Sequence, residues 1–282
     1  MFTMLNSVLK DAIQKREETL SILKGPIYEK IIQIARENWV EFMPKKEQSE
    51  IAGVDSSFNS KKFQGAELWA VTAVSVKSDG KILSDLHDNG LGLLSSNLET
   101  MASDLEIQAC KESVDKVDLV LMDGSIHTHF LKEKASLESK IINVISKNNN
   151  VVFVSKTSSS RAQFERMNSI AGDIFYYNHA TNSAGFSKIF KETKYGPRKI
   201  ITSVFARLSE SLPLIKIEIL GSNHTDDEMK SLLGKLYKTS IGGYPYALKL
   251  AHNNCKISGN DMSKLISLHH LSNEIGSREV LE

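Results

Sequence analysis

Apolar residues recur every three or four positions through the first 40 residues, and this spacing predicts amphipathic helices. Gly25-Pro26 interrupts the pattern, which indicates two helices that meet at a turn. A polar stretch at 44–47 follows, and the pattern then changes to that of strands. We expect strands over 51–58, 67–76 and 81–86, with Asp79-Gly80 forming a hairpin turn between the last two.

The rest of the chain alternates between the two patterns. Helices are expected over 94–113, 137–145, 226–238, 245–253 and 259–271, and strands over 117–123, 151–154, 200–207 and 215–220. Residues 158–195 give no clear assignment. Three strands, a helix and a strand parallel to the first is the order of the ribonuclease H-like fold, although order alone leaves several α/β folds open. We therefore expect a helical arm over residues 1–48 and, over 49–282, an α/β domain with a ribonuclease H-like mixed sheet flanked by helices.

Composition narrows the class of protein. The chain has 282 residues, 41% hydrophobic and 24% charged, with a net charge of +1. Apolar runs stay far short of the roughly 18–20 residues that span a bilayer, and charged residues interrupt the first 24 positions, unlike a secretory signal. Only Cys110 and Cys255 are present, so neither a structural zinc nor a disulfide framework is expected. These features predict a soluble cytoplasmic protein without membrane contact.

Two carboxylates stand at unusual places in apolar strands. Asp55 interrupts the first strand and Asp123 ends the strand over 117–123. Burying a charged side chain in a core strand is costly unless the charge is paired or ligates a metal. Glu106 borders the apolar stripe of the helix between them, so three carboxylates could converge on Mg²⁺ or Mn²⁺. Two such ions about 4 Å apart could activate a water and stabilise the leaving oxygen of a phosphodiester.

Other interpretations of these acids remain open. Asp55 could cap a turn, Asp123-Gly124 could form an ordinary β-turn, and Glu106 could be a solvated helix acid. The segments 53–57 and 122–125 are also similar to the phosphate-binding turns of actin-like and sugar-kinase ATPases. The chain has no Gly-x-x-x-x-Gly-Lys-Ser/Thr loop and is short for a duplicated actin-like fold.

A more specific string lies near the C-terminus, Gly243-Tyr244-Pro-Tyr-Ala-Leu-Lys-Leu-Ala-His252. Pro245 suits the first position of a helix, where its missing N–H is not needed. His252 follows Leu248 by four residues, so it lies beside the apolar face of that helix. A neutral imidazole there could ligate a metal or carry a proton near pH 7.

With this string, the sequence resembles the NurA nucleases of archaea and some bacteria, which are ribonuclease H-like and Mn²⁺-dependent. The matching segments, in order, are Ile51–Ser57, Glu106, Leu121–Ser125 and Gly243–His252. The resemblance implies a catalytic set of Asp55, Glu106, Asp123, Tyr244 and His252. All of these except Tyr244 would hold Mn²⁺ or Mg²⁺, as two ions.

The resemblance also implies an activity and partners. NurA proteins work as homodimers on a hexameric HerA-type ATPase and resect DNA ends for recombinational repair. They act as 5′-to-3′ exonucleases and single-strand endonucleases, which places them at the nucleoid. Lys156 and Arg161 follow the strand over 151–154 and could bind the phosphate backbone of single- or double-stranded DNA. The alternative is a non-catalytic adaptor that stimulates a DNA-translocating ATPase.

Overall fold

The computed structural model describes residues 3–93, 97–126, 135–192, 200–221 and 223–272. Its helices are α1 (Thr3–Gln14), α2 (Arg16–Lys24), α3 (Pro26–Glu37), α4 (Leu98–Ser113), α5 (Ala135–Lys147), α6 (Asp173–Ala180), α7 (Asp226–Lys238), α8 (Tyr246–Cys255) and α9 (Gly259–Leu268). Its strands are β1 (Trp39–Glu41), β2 (Ile51–Phe63), β3 (Ala66–Lys77), β4 (Ile82–Gly92), β5 (Leu119–Asp123), β6 (Val151–Ser155), β7 (Gly185–Ser187), β8 (Phe190–Glu192), β9 (Ile201–Arg207), β10 (Ile215–Leu220), β11 (Ser240–Ile241) and β12 (Tyr244–Pro245).

A mixed sheet joins most of the strands in the order β1-β7-β9-β10-β6-β5-β2-β3-β4, with β8 paired to β9. The hairpin-linked strands β2, β3 and β4 are antiparallel, whereas β5 runs parallel to β2 and β6 runs parallel to β5. Gly80 takes φ +92° in the predicted turn between β3 and β4, a conformation that glycine adopts without strain. The predicted fold class, a mixed sheet flanked by helices, is confirmed.

Helices cover both faces of the sheet because successive strand residues point to opposite sides. Val54 of β2 and Met122 of β5 face α4 and α5, where Ile107 and Ile141 join the same buried cluster. Neighbouring strand residues, such as Leu121 and Val154, face α7 and α8. The strands in the middle of the sheet are apolar on both faces, which is the pattern expected of parallel strands between two helical layers.

The N-terminal region has three helices rather than the predicted two. The extra break falls at Lys15, between α1 and α2, and the second break falls at Gly25 as expected. Val8 and Ile13 of α1 are exposed, whereas Ile31 of α3 is buried in an aromatic cluster with α6. β1 then pairs with β7 at the edge of the main sheet. The division into an arm at 1–48 and a domain at 49–282 stays a prediction.

Differences from the predicted elements cluster where tertiary packing decides structure. The segment that has no assignment from sequence contains α6, β7 and β8. Tyr176 and Tyr177 of α6 are buried against α3. This packing, rather than helix propensity, stabilises α6. The helix predicted from residue 94 is seen from Leu98, where the Asn97 side chain accepts a hydrogen bond from the N–H of Glu99. Residues 94–96 lie outside the described part of the chain. Among the described helices, none is long and apolar enough to cross a bilayer.

Candidate metal centre

Parallel pairing of β2 with β5 brings the two strand acids together. Val54 is in register with Met122, so the next residues of the two strands, Asp55 and Asp123, lie side by side at the carboxyl end of β5. Because Val54 and Met122 face α4, Asp55 and Asp123 project toward the opposite face, which α8 covers. The two carboxylates are therefore neighbours by strand register alone.

α8 supplies the third member of this cluster. Leu248 and Ala251 of α8 are buried, and His252 follows at the border of that apolar face with its side chain 52% exposed. The His252 Nδ1 atom lies 2.9 Å from Oδ2 of Asp55. α8 reaches this close to β2 because Gly53 has no side chain: a Cβ atom there would lie 2.4 Å from the carbonyl carbon of Ala247.

Tyr244 and Lys156 surround the carboxylate of Asp123. The Tyr244 hydroxyl donates a hydrogen bond of 2.7 Å to Oδ1 of Asp123. Lys156 Nζ lies 3.7 Å from Oδ2 of the same side chain and 4.4 Å from the centre of the Tyr244 ring, a cation–π distance. Gly242 and Gly243 form the turn before Tyr244 with positive φ angles of +62° and +81°. Both oxygens of Asp123 are thus oriented by residues from other elements.

Glu106 lies on the other side of β2. Ser56 follows Asp55 and points to the α4 face, where its Oγ donates a 2.8 Å hydrogen bond to Oε2 of Glu106. The Ser56 N–H donates to Oδ1 of Asp55 at 2.8 Å, so Ser56 joins the two carboxylates. Glu106 is only 2% exposed. The role of Glu106 as a metal ligand stays a prediction.

Asp55, Asp123 and His252 form a group that fits a divalent cation. Each offers one ligand atom, and within the described residues these three atoms lie within 4.8 Å of one another. Two carboxylates with an imidazole suit Mn²⁺, which accepts both oxygen and nitrogen ligands, and the carboxylates suit Mg²⁺.

The electrostatics of the group also favour a cation. Burial raises the pKa of Asp55, and the adjacent charge of Asp123 raises it further, against the hydrogen bonds from His252 and Ser56. Burial, together with both aspartates, raises the pKa of Tyr244, which keeps its hydroxyl protonated as a donor to Asp123. The site therefore concentrates negative charge that a bound cation would compensate.

A cavity of about 1140 Å³ opens beside the two aspartates. One wall is the loop after β6, which carries both predicted substrate-binding residues, Lys156 and Arg161. Lys156 is half-exposed, and Arg161 donates a 3.1 Å hydrogen bond to the carbonyl oxygen of Ser169. A second part of the lining, the charged wall, consists of three buried residues, Glu192, Lys216 and Glu218. The cavity is large enough for a nucleotide-sized ligand.

A known protein family matches most of the chain. The sequence model of the NurA domain matches residues 49–257, a span that contains every predicted site residue. The chain belongs to the NurA domain family.

Curated NurA relatives match most of the chain at low identity. The DNA double-strand break repair nuclease NurA of Saccharolobus solfataricus is 24% identical, over 87% of this chain and 87% of the relative. The protein of the same description from Sulfolobus acidocaldarius is 21% identical, over 94% of this chain and 95% of the relative.

Solved NurA structures share the fold. The NurA nuclease from Sulfolobus solfataricus superposes with a TM-score of 0.77 at 20% identity, covering 98% of this chain and 99% of the other. A NurA structure bound to dAMP and manganese superposes with a TM-score of 0.56 at 13% identity, covering 98% of this chain and 97% of the other.

The structure brings four of the predicted site residues together as two hydrogen-bonded pairs, Asp55 with His252 and Asp123 with Tyr244. Glu106 is connected to Asp55 through Ser56. The sequence analysis singles out neither Ser56 nor the charged wall of the cavity. The sequence of β10 does contain a pattern that indicates the charged wall. Lys216 and Glu218 occupy alternate positions of the otherwise apolar strand Ile215–Leu220, so both point to the same face of the sheet.

Proposed function

We propose that this NurA family member is a DNA nuclease that requires Mn²⁺ or Mg²⁺ and hydrolyses phosphodiester bonds at the Asp55–Asp123–His252 group. The observation that carries this proposal is the convergence of three metal-ligating side chains beside a nucleotide-sized cavity. The descriptions of its relatives as double-strand break repair nucleases, and of one solved relative as bound to dAMP and manganese, support it.

Each residue of the group has a part that its position supports. Asp55, Asp123 and His252 hold the cation, and Glu106 contributes a further carboxylate when two ions are bound. Divalent ions held there would supply activation of a water and neutralisation of the charge that develops on the phosphodiester. No protein nucleophile is then needed.

Tyr244 and Lys156 prepare the site for substrate. The Tyr244 hydroxyl fixes the orientation of the Asp123 carboxylate, as the hydrogen-bonded neighbours of metal ligands generally do. Lys156 holds a half-exposed ammonium between Asp123 and the cavity, where it can bind a phosphate oxygen. Arg161 lines the same cavity and provides a second backbone contact.

The resemblance to the family supports a proposal for the wider role. The protein acts on single- and double-stranded DNA as a 5′-to-3′ exonuclease and single-strand endonuclease, as a homodimer at the nucleoid, with a hexameric HerA-type ATPase in end resection. Size-exclusion chromatography with light scattering tests the dimer. Co-purification with the ATPase tests the complex. A monomeric protein would contradict the proposed dimer, and a protein that does not co-purify with the ATPase would contradict the proposed complex.

A cleavage assay tests the proposed activity. Single- and double-stranded DNA labelled at the 5′ or the 3′ end is incubated with Mn²⁺, Mg²⁺ or EDTA, using wild type and Asp55→Ala in parallel. We expect metal-dependent cleavage by the wild type that is lost in Asp55→Ala, and the label pattern reports the polarity.

Two outcomes would contradict the proposal. Equal cleavage by Asp55→Ala would show that the activity does not come from this group. An absence of cleavage by the wild type, alone and with the ATPase, would favour the adaptor, which predicts stimulated ATP hydrolysis without DNA degradation.

A further inference from the structure

The three buried residues of the charged wall form a chain of ion pairs beside the cavity. Lys216 and Glu218 of β10 form an ion pair, and Lys216 Nζ also lies 3.6 Å from Oε1 of Glu192 at the end of β8. Their side chains are 4%, 2% and 8% exposed. Burying such charges costs several kcal/mol per ion, so an ion chain in a sheet is weak evidence of stability by itself.

One end of this chain holds the backbone that follows Asp123. The second carboxylate oxygen of Glu218, Oε2, accepts a buried hydrogen bond of 2.9 Å from the N–H of Ile126. The buried Glu218 carboxylate therefore has one oxygen on Lys216 and the other on the main chain.

The segment from Asp123 to Ile126 is where the chain changes face. Asp123 projects toward α8, whereas Ile126 is buried in the cluster beneath α4 and α5. Gly124 makes the turn with φ +92°, and its N–H donates to the carbonyl oxygen of Val154 at 3.0 Å. The bond from Ile126 to Glu218 is the anchor on the far side of this turn.

We propose that Glu218 is a positioning residue of the metal centre: it fixes the Asp123–Ile126 turn, and Lys216 holds the Glu218 carboxylate in place. This inference rests on the proposed metal-binding function. Both carboxylate oxygens of Glu218 are engaged within the protein, one by Lys216 and the other by the N–H of Ile126, so Glu218 is not itself a member of the proposed ligand group. It acts through the backbone of the strand end that presents Asp123, with the effect of a hydrogen-bonded partner of a metal ligand.

Glu218→Gln tests the inference with little change of volume. The amide has one oxygen, which the Lys216 ammonium attracts more strongly than a neutral N–H does. Its NH₂ group then faces the Ile126 N–H, donor against donor, and the turn loses its anchor. We expect Mn²⁺ to bind about tenfold more weakly, measured in protein without DNA from the electron paramagnetic resonance signal of free Mn²⁺.

The double variant Lys216→Met/Glu218→Gln separates positioning from a general structural role. Without the ammonium, the Gln oxygen can accept from Ile126 again. We expect Mn²⁺ affinity to return to within about threefold of wild type. Glu67→Gln is the matched control, because Glu67 of β3 accepts a hydrogen bond from Ser60 away from the cavity. It should bind Mn²⁺ as wild type does.

Two results would overturn the inference. One is wild-type Mn²⁺ affinity in a folded Glu218→Gln protein. The other is a double variant that binds as weakly as the single one while melting at a similar temperature. If the double variant does not fold, Glu218→Gln alone decides. Failure of the proposed metal binding is distinguishable, because then the wild type itself would not bind Mn²⁺, and the cleavage assay above tests the nuclease activity separately.

Discussion

At the scale of single residues, the centre depends on two carboxylates that strand register forces together. Burial and the charge of Asp123 both raise the pKa of Asp55. The same arrangement that attracts a cation therefore opposes folding of the metal-free protein. Removing one of the charges separates these two effects.

Asp123→Asn should abolish metal binding and cleavage while leaving the metal-free protein as stable as wild type or more stable. Asparagine can still accept the Tyr244 hydrogen bond, but it removes the charge beside Asp55. We expect cleavage to fall more than about 100-fold, since the loss of an outer hydrogen-bond partner of a metal ligand alone costs about 10–100-fold. Cleavage rate and the melting temperature in EDTA measure the two effects.

Asp118→Asn is the control for that variant. Asp118 precedes the other end of β5, is exposed, and accepts a hydrogen bond from the N–H of Glu50. The Asp118→Asn variant should cleave DNA at the same rate as wild type. A lowered melting temperature in Asp123→Asn would mean that misfolding, rather than ligand loss, explains its inactivity.

Tyr244→Phe should weaken Mn²⁺ binding and lower the cleavage rate about 10- to 100-fold. The change removes the hydroxyl that donates to Asp123 and keeps the ring beneath Lys156. Tyr246→Phe, two residues later, is the matched control and should cleave normally. Titration of activity with Mn²⁺ checks both variants. If Tyr244→Phe cleaves DNA as fast as Tyr246→Phe at every Mn²⁺ concentration, the hydroxyl of Tyr244 has no role in orienting Asp123.

At the scale of elements, contact between β2 and α8 sets the distance from Asp55 to His252. Gly53 permits the contact, because a Cβ atom at this position would lie 2.5 Å from the backbone nitrogen of Leu248. Backbone atoms cannot move aside as a flexible side chain can. The helix and the strand must therefore separate when any side chain is added.

Gly53→Ala should destabilise the protein by about 1–3 kcal/mol, the usual cost of overpacking, and should lower Mn²⁺ affinity as well. Urea denaturation measures the first effect and calorimetric titration with Mn²⁺ the second. Gly259→Ala is the control, because a Cβ atom at Gly259 of α9 meets nothing within 4 Å. Unchanged Mn²⁺ affinity in Gly53→Ala would show that the close contact does not position His252.

Strands and helices with a clear period could be predicted from sequence, and packing decided the rest. The strands β5, β6, β9 and β10 carry apolar runs, and the structure places each within a few residues of its predicted position. α6 could not be predicted because its aromatic residues are held by α3, which is distant in sequence. Likewise, β2 continues to Phe63 through polar residues because β3 pairs with it along its whole length.

Members of the candidate site could be identified from sequence where a residue broke a local pattern. Asp55 and Asp123 interrupt apolar strands, and the Tyr244–His252 string identified α8. Ser56 could not be found this way, since a serine in a strand is common and its contact with Glu106 requires the α4 packing. The role of Glu218 depends on β10 pairing with β6, a contact between strands about 60 residues apart.

At the scale of the whole molecule, the stability of the metal-free protein should depend on pH through Asp173. This buried residue begins α6 and accepts hydrogen bonds from the N–H groups of Gln163 and Phe164. Burial raises its pKa to about 6. A carboxyl whose pKa is higher in the folded state stabilises the protein at low pH, and this contribution is lost as pH rises through the folded-state pKa.

The contribution from Asp173 should therefore be present below about pH 4 and fall by at most about 3 kcal/mol as pH rises past 6. Asp173→Asn should remove this dependence. The difference in unfolding free energy between the variant and wild type, measured by urea denaturation from pH 4 to 7, isolates it. A difference that does not vary with pH would show that Asp173 is ionised equally in both states.

Locating a bound Mn²⁺ ion in a crystal would show directly whether Asp55 and Asp123 hold the metal. Crystals soaked in Mn²⁺ and measured at the manganese absorption edge would locate the ion by its anomalous scattering. We expect a peak within about 2.5 Å of carboxylate oxygens of Asp55 and Asp123, with His252 beside it. A well-ordered crystal that shows no peak between these residues, or a peak only elsewhere, would show that Asp55 and Asp123 do not hold the cation.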